Sequence, residues 1–139
     1  MTKQHQKPHI HVSAGLIRKD GRCLIAKRQE GSHLAGYWEF PGGKQERGES
    51  LQACLEREIE EELGLNIRAD HVLLVVEHEY ESKVITLHVM ECAILAGEPM
   101  PLQCQEFKWV DPVDFHKYVF PPPDVEVIEF LSRNDLIVG

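Results

Sequence analysis

Three carboxylates, Glu58, Glu61 and Glu62, fall at spacings of three and four along the chain. On a helix such residues are neighbours, and like charges there repel by roughly 0.2–0.5 kcal/mol per pair. A chain that keeps them together has a cation to hold. Hard divalent ions such as magnesium take oxygen ligands, and they keep water and substrate phosphates in their remaining positions. The simplest reading is an acidic helix that binds magnesium beside a phosphate substrate. Basic residues nearby fit the same chemistry. Lys27, Arg28 and Lys44 could each contact a phosphate, Arg28 with both arms of its guanidinium. For Lys27 and Lys44 the competing reading is a solvated surface lysine. Arg57, embedded among acids, could orient Glu49 or Glu61 by hydrogen bonding rather than touch substrate.

The surrounding residues predict the elements that position this group. Ser50 is a good helix N-cap and Gly64 a good stop. Between them Leu51, Leu55, Ile59 and Leu63 recur every four residues as a core stripe. At ~100° per residue, Glu58 and Glu61 lie to one side of that stripe and Glu62 at its edge. Glu56 and Glu60 fall opposite and read as solvated. Upstream, residues 10–17 and 23–27 read as two strands joined at Asp20-Gly21, a hairpin. Residues 29–34 read as loop and 37–40 as a short aromatic strand ending at Pro41-Gly42-Gly43. Adjacent glycines permit close approach of the backbone to a ligand. Downstream, residues 72–76, 84–95 and 107–110 read as strands. Asp111-Pro112 opens a short helix, and Pro121-Pro122-Pro123 leads into a last helix whose buried face is Val127, Ile128 and Leu131.

The frame Gly43-x5-Glu49-x7-Arg57-Glu58-Ile59-x-Glu61-Glu62-x-Gly64-Leu65 resembles the Nudix box at every fixed position. Agreement at so many positions is a strong signal, unlike a lone glycine motif. The resemblance implies an α/β/α sandwich with a mixed β-sheet, one domain over residues 1–139, and the box at 43–65. It implies hydrolysis of nucleoside diphosphates linked to another group. It also implies the roles: Glu58 and Glu62 as central metal ligands, Glu61 as a third ligand or base, and the Gly42 carbonyl as a further oxygen. Arg57 belongs with the catalytic acids. Glu49, with Gly43 and Gly64, fixes the geometry of loop and helix. The cofactor implied is Mg2+, with Mn2+ as a substitute.

Within that family the chain looks most like the MutT-type enzymes, through Glu39-Phe40-Pro41-Gly42-Gly43-Lys44, the turn at 97–99, the Trp109 strand and the proline-rich entry to the last helix. Such enzymes convert a nucleoside triphosphate, notably 8-oxo-dGTP, to the monophosphate and pyrophosphate, which cleanses the nucleotide pool and serves DNA repair. Two positions depart from that pattern. Asp124 stands where the bacterial 8-oxo-dGTP enzyme has asparagine. An ionised aspartate only accepts hydrogen bonds, and a protonated one also donates. Aspartate here also looks like relatives that hydrolyse CTP or modified dCTP; a plain helix cap is the competing reading. Gln103-Cys104 stands where many relatives carry an auxiliary glutamate, with Glu106 nearby as a substitute. Tyr80 matches a base-contacting aromatic, with Lys83 close by, although an aromatic in a strand is more often core. A rival from another class is a Nudix-like module that recognises a damaged base without hydrolysis; such modules usually lack the glutamates present here.

Composition bounds the rest. At 139 residues with 42% hydrophobic content the chain suits one soluble domain. A net charge of −8 argues against binding a nucleic-acid polymer and for metal ions between the protein's acids and an anionic substrate. Cysteines at 23, 54, 92 and 104 form no C-x-x-C pair, which suits reduced thiols in a cytoplasm. No apolar run is long enough for a membrane span. Residues 1–8 read as a flexible tail without a signal peptide's apolar core. His5, His9 and His11 read as strand or tail residues rather than ligands. The expected state is a monomer or weak homodimer.

Overall fold

The structure, a computed structural model, describes residues 7–134. Its element order is β1 (His9–Lys19), β2 (Arg22–Lys27), β3 (Trp38–Glu39), β4 (Gly42–Lys44), α1 (Leu51–Leu63), β5 (Asn66–Glu79), β6 (Val84–Ala96), β7 (Glu106–Val110), a 3-10 turn (Pro112–Lys117) and α2 (Pro122–Arg133). The strands make one mixed seven-stranded sheet in the order β3-β2-β1-β6-β5, with β4 on β1 and β7 on β2. The β1–β6 pair is parallel and the remaining pairs are antiparallel.

Helices cover both faces, which explains why the central strands read as continuous apolar runs rather than alternating ones. Successive strand residues point to opposite faces. Leu16, Ile25 and Val89 join Phe40, Val127 and Leu131 in a core beneath α2. Ile17, Leu24 and Met90 join Leu55, Ile59 and Leu63 in a second core beneath α1. This is the α/β/α sandwich.

Helix α1 begins at Ser50, whose side chain accepts from Ala53 N at 3.0 Å. It ends at Gly64, left-handed at φ 64, whose N–H reaches Glu60 O. The Asp20-Gly21 turn joins β1 to β2 antiparallel.

Several expectations are corrected. The aromatic strand is only Trp38–Glu39, because Tyr37 N turns back to Leu34 O. The Gly-Gly segment is itself a strand, β4, paired with Val12–Ala14; a glycine pair gave no strand signal in the sequence. Strand β5 runs over fourteen residues, and register shifts between Ala69 and Leu74 hide its alternation. Glu56 is not simply solvated, since it accepts from Ala69 N at 2.9 Å. Of the expected tail, residues 1–6 lie outside the described residues. Lys7 and Pro8 are tied down, through Lys7 Nζ to Glu79 and Val84 N to Pro8 O.

Candidate active site

The site forms where α1 passes behind the Gly42-Gly43 strand. A Cβ at Gly43 would collide with the Glu58 carboxylate, and one at Gly42 with the Ser13 backbone. Only glycine lets the chain and that acid share the space. Arg57 gathers the acids around this contact. Its Nε and Nη2 clasp Glu49 at 2.5 and 3.0 Å, and its Nη1 reaches both Glu58 and Glu61 at 3.1 Å. Glu49 also accepts from Glu46 N at 2.9 Å, so the loop is laced to the helix. The Arg57 hydrogen bonds hold the Glu49 carboxyl down to about 2.

The other acids stand in a contrary environment. Burial pushes the Glu58 carboxyl up, against the pull of Arg57. Glu62 is raised well above the usual carboxylate range, first by burial, then by the charges of Glu39 and Glu58. Its Oε1 is buried without a hydrogen-bond partner among the described residues. Glu39 is likewise raised by burial, opposed by Arg28. Arg28 gives Nη1 to Glu39 at 2.8 Å and Nε to the His33 carbonyl at 2.5 Å.

A cleft of about 550 Å³ opens from these acids toward α2. Of the residues singled out in the sequence, Arg28, Gly42, Gly43, Lys44, Glu58, Glu62, Tyr80, Lys83 and Asp124 line it. At its far end Asp124 is buried and accepts from Phe40 N at 3.1 Å. Burial, then the Glu39 charge, lifts its carboxyl to about 8. Asp124 is not the helix cap: α2 is capped at Pro121, with no side-chain cap bond. At the mouth, Tyr80 meets the His33 ring at 5.4 Å, and Lys83 Nζ lies 3.5 Å from His33 Nδ1.

Arg57, Glu49, Glu61 and Gly64 do not line the cleft; the first three form its supporting network and Gly64 ends the helix. Glu106 opens β7 and pairs with Lys27 at 3.9 Å, outside the cleft lining. Sequence reasoning passed over Glu39 and His33. The signal for Glu39 is its register opposite Ala26, next to the end of β2 and so within reach of Arg28. Such cross-strand neighbours cannot be read from spacing along the chain.

Among the described residues, no three His, Cys, Asp or Glu side chains form a group ready to hold a metal ion. The donor set nevertheless fits one. A buried, partnerless carboxylate oxygen on Glu62 stands in a cluster of acids that lacks enough cations of its own. Burying such charge unmatched is expensive. A hard cation is what this set of oxygens could satisfy.

The chain matches the NUDIX domain over residues 13–130, and so it belongs to that family. It is 33% identical over 120 residues to a CTP pyrophosphohydrolase of Escherichia coli (strain K12), covering 86% of this chain and 89% of that protein. It is 34% identical over 129 residues to an 8-oxo-dGTP diphosphatase of Haemophilus influenzae, covering 92% and 95%. The crystal structure of MutT protein from Methanosarcina mazei Go1 superposes with a TM-score of 0.85 at 26% identity, covering 95% and 99%. The family and these likenesses define the chain as a pyrophosphohydrolase.

Proposed function

We propose that the chain hydrolyses a nucleoside triphosphate to the monophosphate and pyrophosphate with magnesium, and that its preferred substrate is 8-oxo-dGTP. The observation that carries this reading is the buried, partnerless Glu62 Oε1 beside Glu58 at the Gly42-Gly43 strand. Glu58, Glu61, Glu62 and the Gly42 carbonyl would hold the ion. Bound there, magnesium neutralises phosphate charge and polarises the phosphorus–oxygen bonds. The chain's own residues do the rest. Arg57 fixes the acids relative to one another and holds Glu61 by Oε1. Glu61 stands outside the cleft lining, so its Oε2 has to turn toward the cleft before it takes a proton from the attacking water. Lys44, Lys83 and Arg28 line the cleft as cations for the phosphates. Asp124 at the far end meets the base. Its raised carboxyl favours the protonated form, which both donates and accepts, as an asparagine would.

A second substrate reading, CTP or a modified dCTP, draws support from the likeness to a CTP pyrophosphohydrolase. The test is kcat/KM for 8-oxo-dGTP, dGTP, CTP and dCTP, with products resolved by chromatography. Pyrophosphate and a monophosphate from 8-oxo-dGTP are expected. Orthophosphate and a diphosphate as main products would reject the reaction, and a preference for CTP would reject the substrate.

A further inference from the structure

The sheet carries a histidine pair away from the cleft. His11 on β1 and His88 on β6 bring Nδ1 and Nε2 to 3.0 Å of each other, with ring centroids 5.3 Å apart. The sequence separates them by 77 residues, and the parallel β1–β6 register brings them together, His11 beside Thr86 and His88 beside Ser13. Their neighbours Val12 and Leu87 line the cleft, so the histidines point to the opposite face. That face is covered by α1 as far as Ser13, which bonds to Cys54. Beyond it His11 is exposed and Val75, across from His88, is 52% exposed.

We propose that His11 and His88 form a chelating site for a borderline divalent ion such as nickel, copper or zinc, distinct from the carboxylate site. Imidazole nitrogens suit these ions, whereas magnesium prefers oxygen. Two nitrogens bound at about 2.0–2.1 Å, at right or tetrahedral angles, lie ~2.8–3.4 Å from each other. The 3.0 Å separation falls inside that bite, but the rings now meet nearly end to end, with centroids 5.3 Å apart, so each ring has to turn for the two lone pairs to converge on the ion. Both rings bind as neutral imidazole. The ring that now donates in the pair moves its proton to its far nitrogen, so no net proton is released. Burial, then the His11 charge, holds His88 below its ordinary value, which keeps it in the neutral form. The remaining coordination positions face solvent, so the ion exchanges freely. Because the ion ties β1 to β6, its binding stabilises the fold.

The test is a nickel titration in excess magnesium, which occupies the carboxylates, followed by calorimetry and Tm. The wild-type chain is expected to bind one nickel ion with a rise in Tm. Loss of either arm of a chelate removes the gain from tethering, so His11→Gln and His88→Gln should each weaken binding by about tenfold or more and abolish the Tm rise. Magnesium-dependent hydrolysis should be unchanged in both. If His88→Gln lowers stability without metal, the exposed His11→Gln still decides. Imidazole nitrogen NMR should show nickel broadening centred on these two rings. Wild-type affinity retained in either variant, or broadening centred on other histidines, overturns the proposal.

Discussion

The acids of the cleft differ by environment rather than by type. Glu49, clasped by Arg57 and a backbone N–H, favours its ionised form, while Glu62, buried and partnerless at Oε1, resists it. Changing Glu58 or Glu62 to Gln keeps shape and removes charge. Turnover should fall by roughly a hundredfold or more in each, since a lost electrostatic contact to reacting charge costs about that much. Metal-free Glu62→Gln should be no less stable than wild type, because it relieves the charges of Glu39 and Glu58. Circular dichroism and steady-state rates check both halves; near-normal magnesium-dependent turnover would remove these acids from the mechanism. Asp124 gives a pH signature. Burial lifts its carboxyl to about 8, above the ordinary aspartate value of 3.8. The folded state therefore binds more protons than the unfolded state between those values, and stability falls as pH rises through that window. Asp124→Asn keeps an acceptor for Phe40 N and removes the titration. Its Tm relative to wild type should climb between about pH 4 and 8. If Asp124 also reads the base, the kcat/KM ratio of guanine to cytosine triphosphates should move by about tenfold, the worth of a buried hydrogen bond.

At the scale of elements, α1 was legible because every signal along it agrees: a capping serine, a four-residue apolar repeat and a glycine stop. Ser50→Ala should cost about 1 kcal/mol, measurable by urea denaturation, with kcat little changed. The Gly42-Gly43 strand was legible as a close approach but not as a strand, because its partner is fixed only by the β1 register. Gly43→Ala puts a methyl where the Glu58 carboxylate lies. It should abolish turnover while leaving most of the fold, and magnesium-dependent activity near wild type would mean that Glu58 can be displaced without consequence. What the chain concealed is of one kind. Glu39 against Arg28, Asp124 under Phe40 and His11 against His88 are all contacts between elements. Periodicity and capping act within an element, so they place the box and leave these pairs unseen. Of β5 only residues 72–76 were legible, for a different reason: its register shifts break the local alternation that would mark the rest as strand.

At the scale of the molecule, the net charge of −8 and the clustered acids of the cleft pull the same way. An excess of like charge destabilises the compact state by self-repulsion. An anionic substrate entering this cleft meets that repulsion unless cations intervene. If a cation is part of the working molecule, binding should stabilise the folded chain by about 2.7 kcal/mol at a hundredfold excess over its Kd. For a chain of this size each kcal/mol moves Tm by roughly 2–8 °C. Magnesium should therefore raise the wild-type Tm well beyond what sodium chloride does at matched ionic strength, since sodium only screens. Glu58→Gln and Glu62→Gln remove ligands but leave most of the net charge, so the screening response should survive in them and the magnesium-specific increment should vanish. A magnesium shift equal to the sodium shift in wild type would mean that general screening, not a bound ion, answers the charge of this cleft.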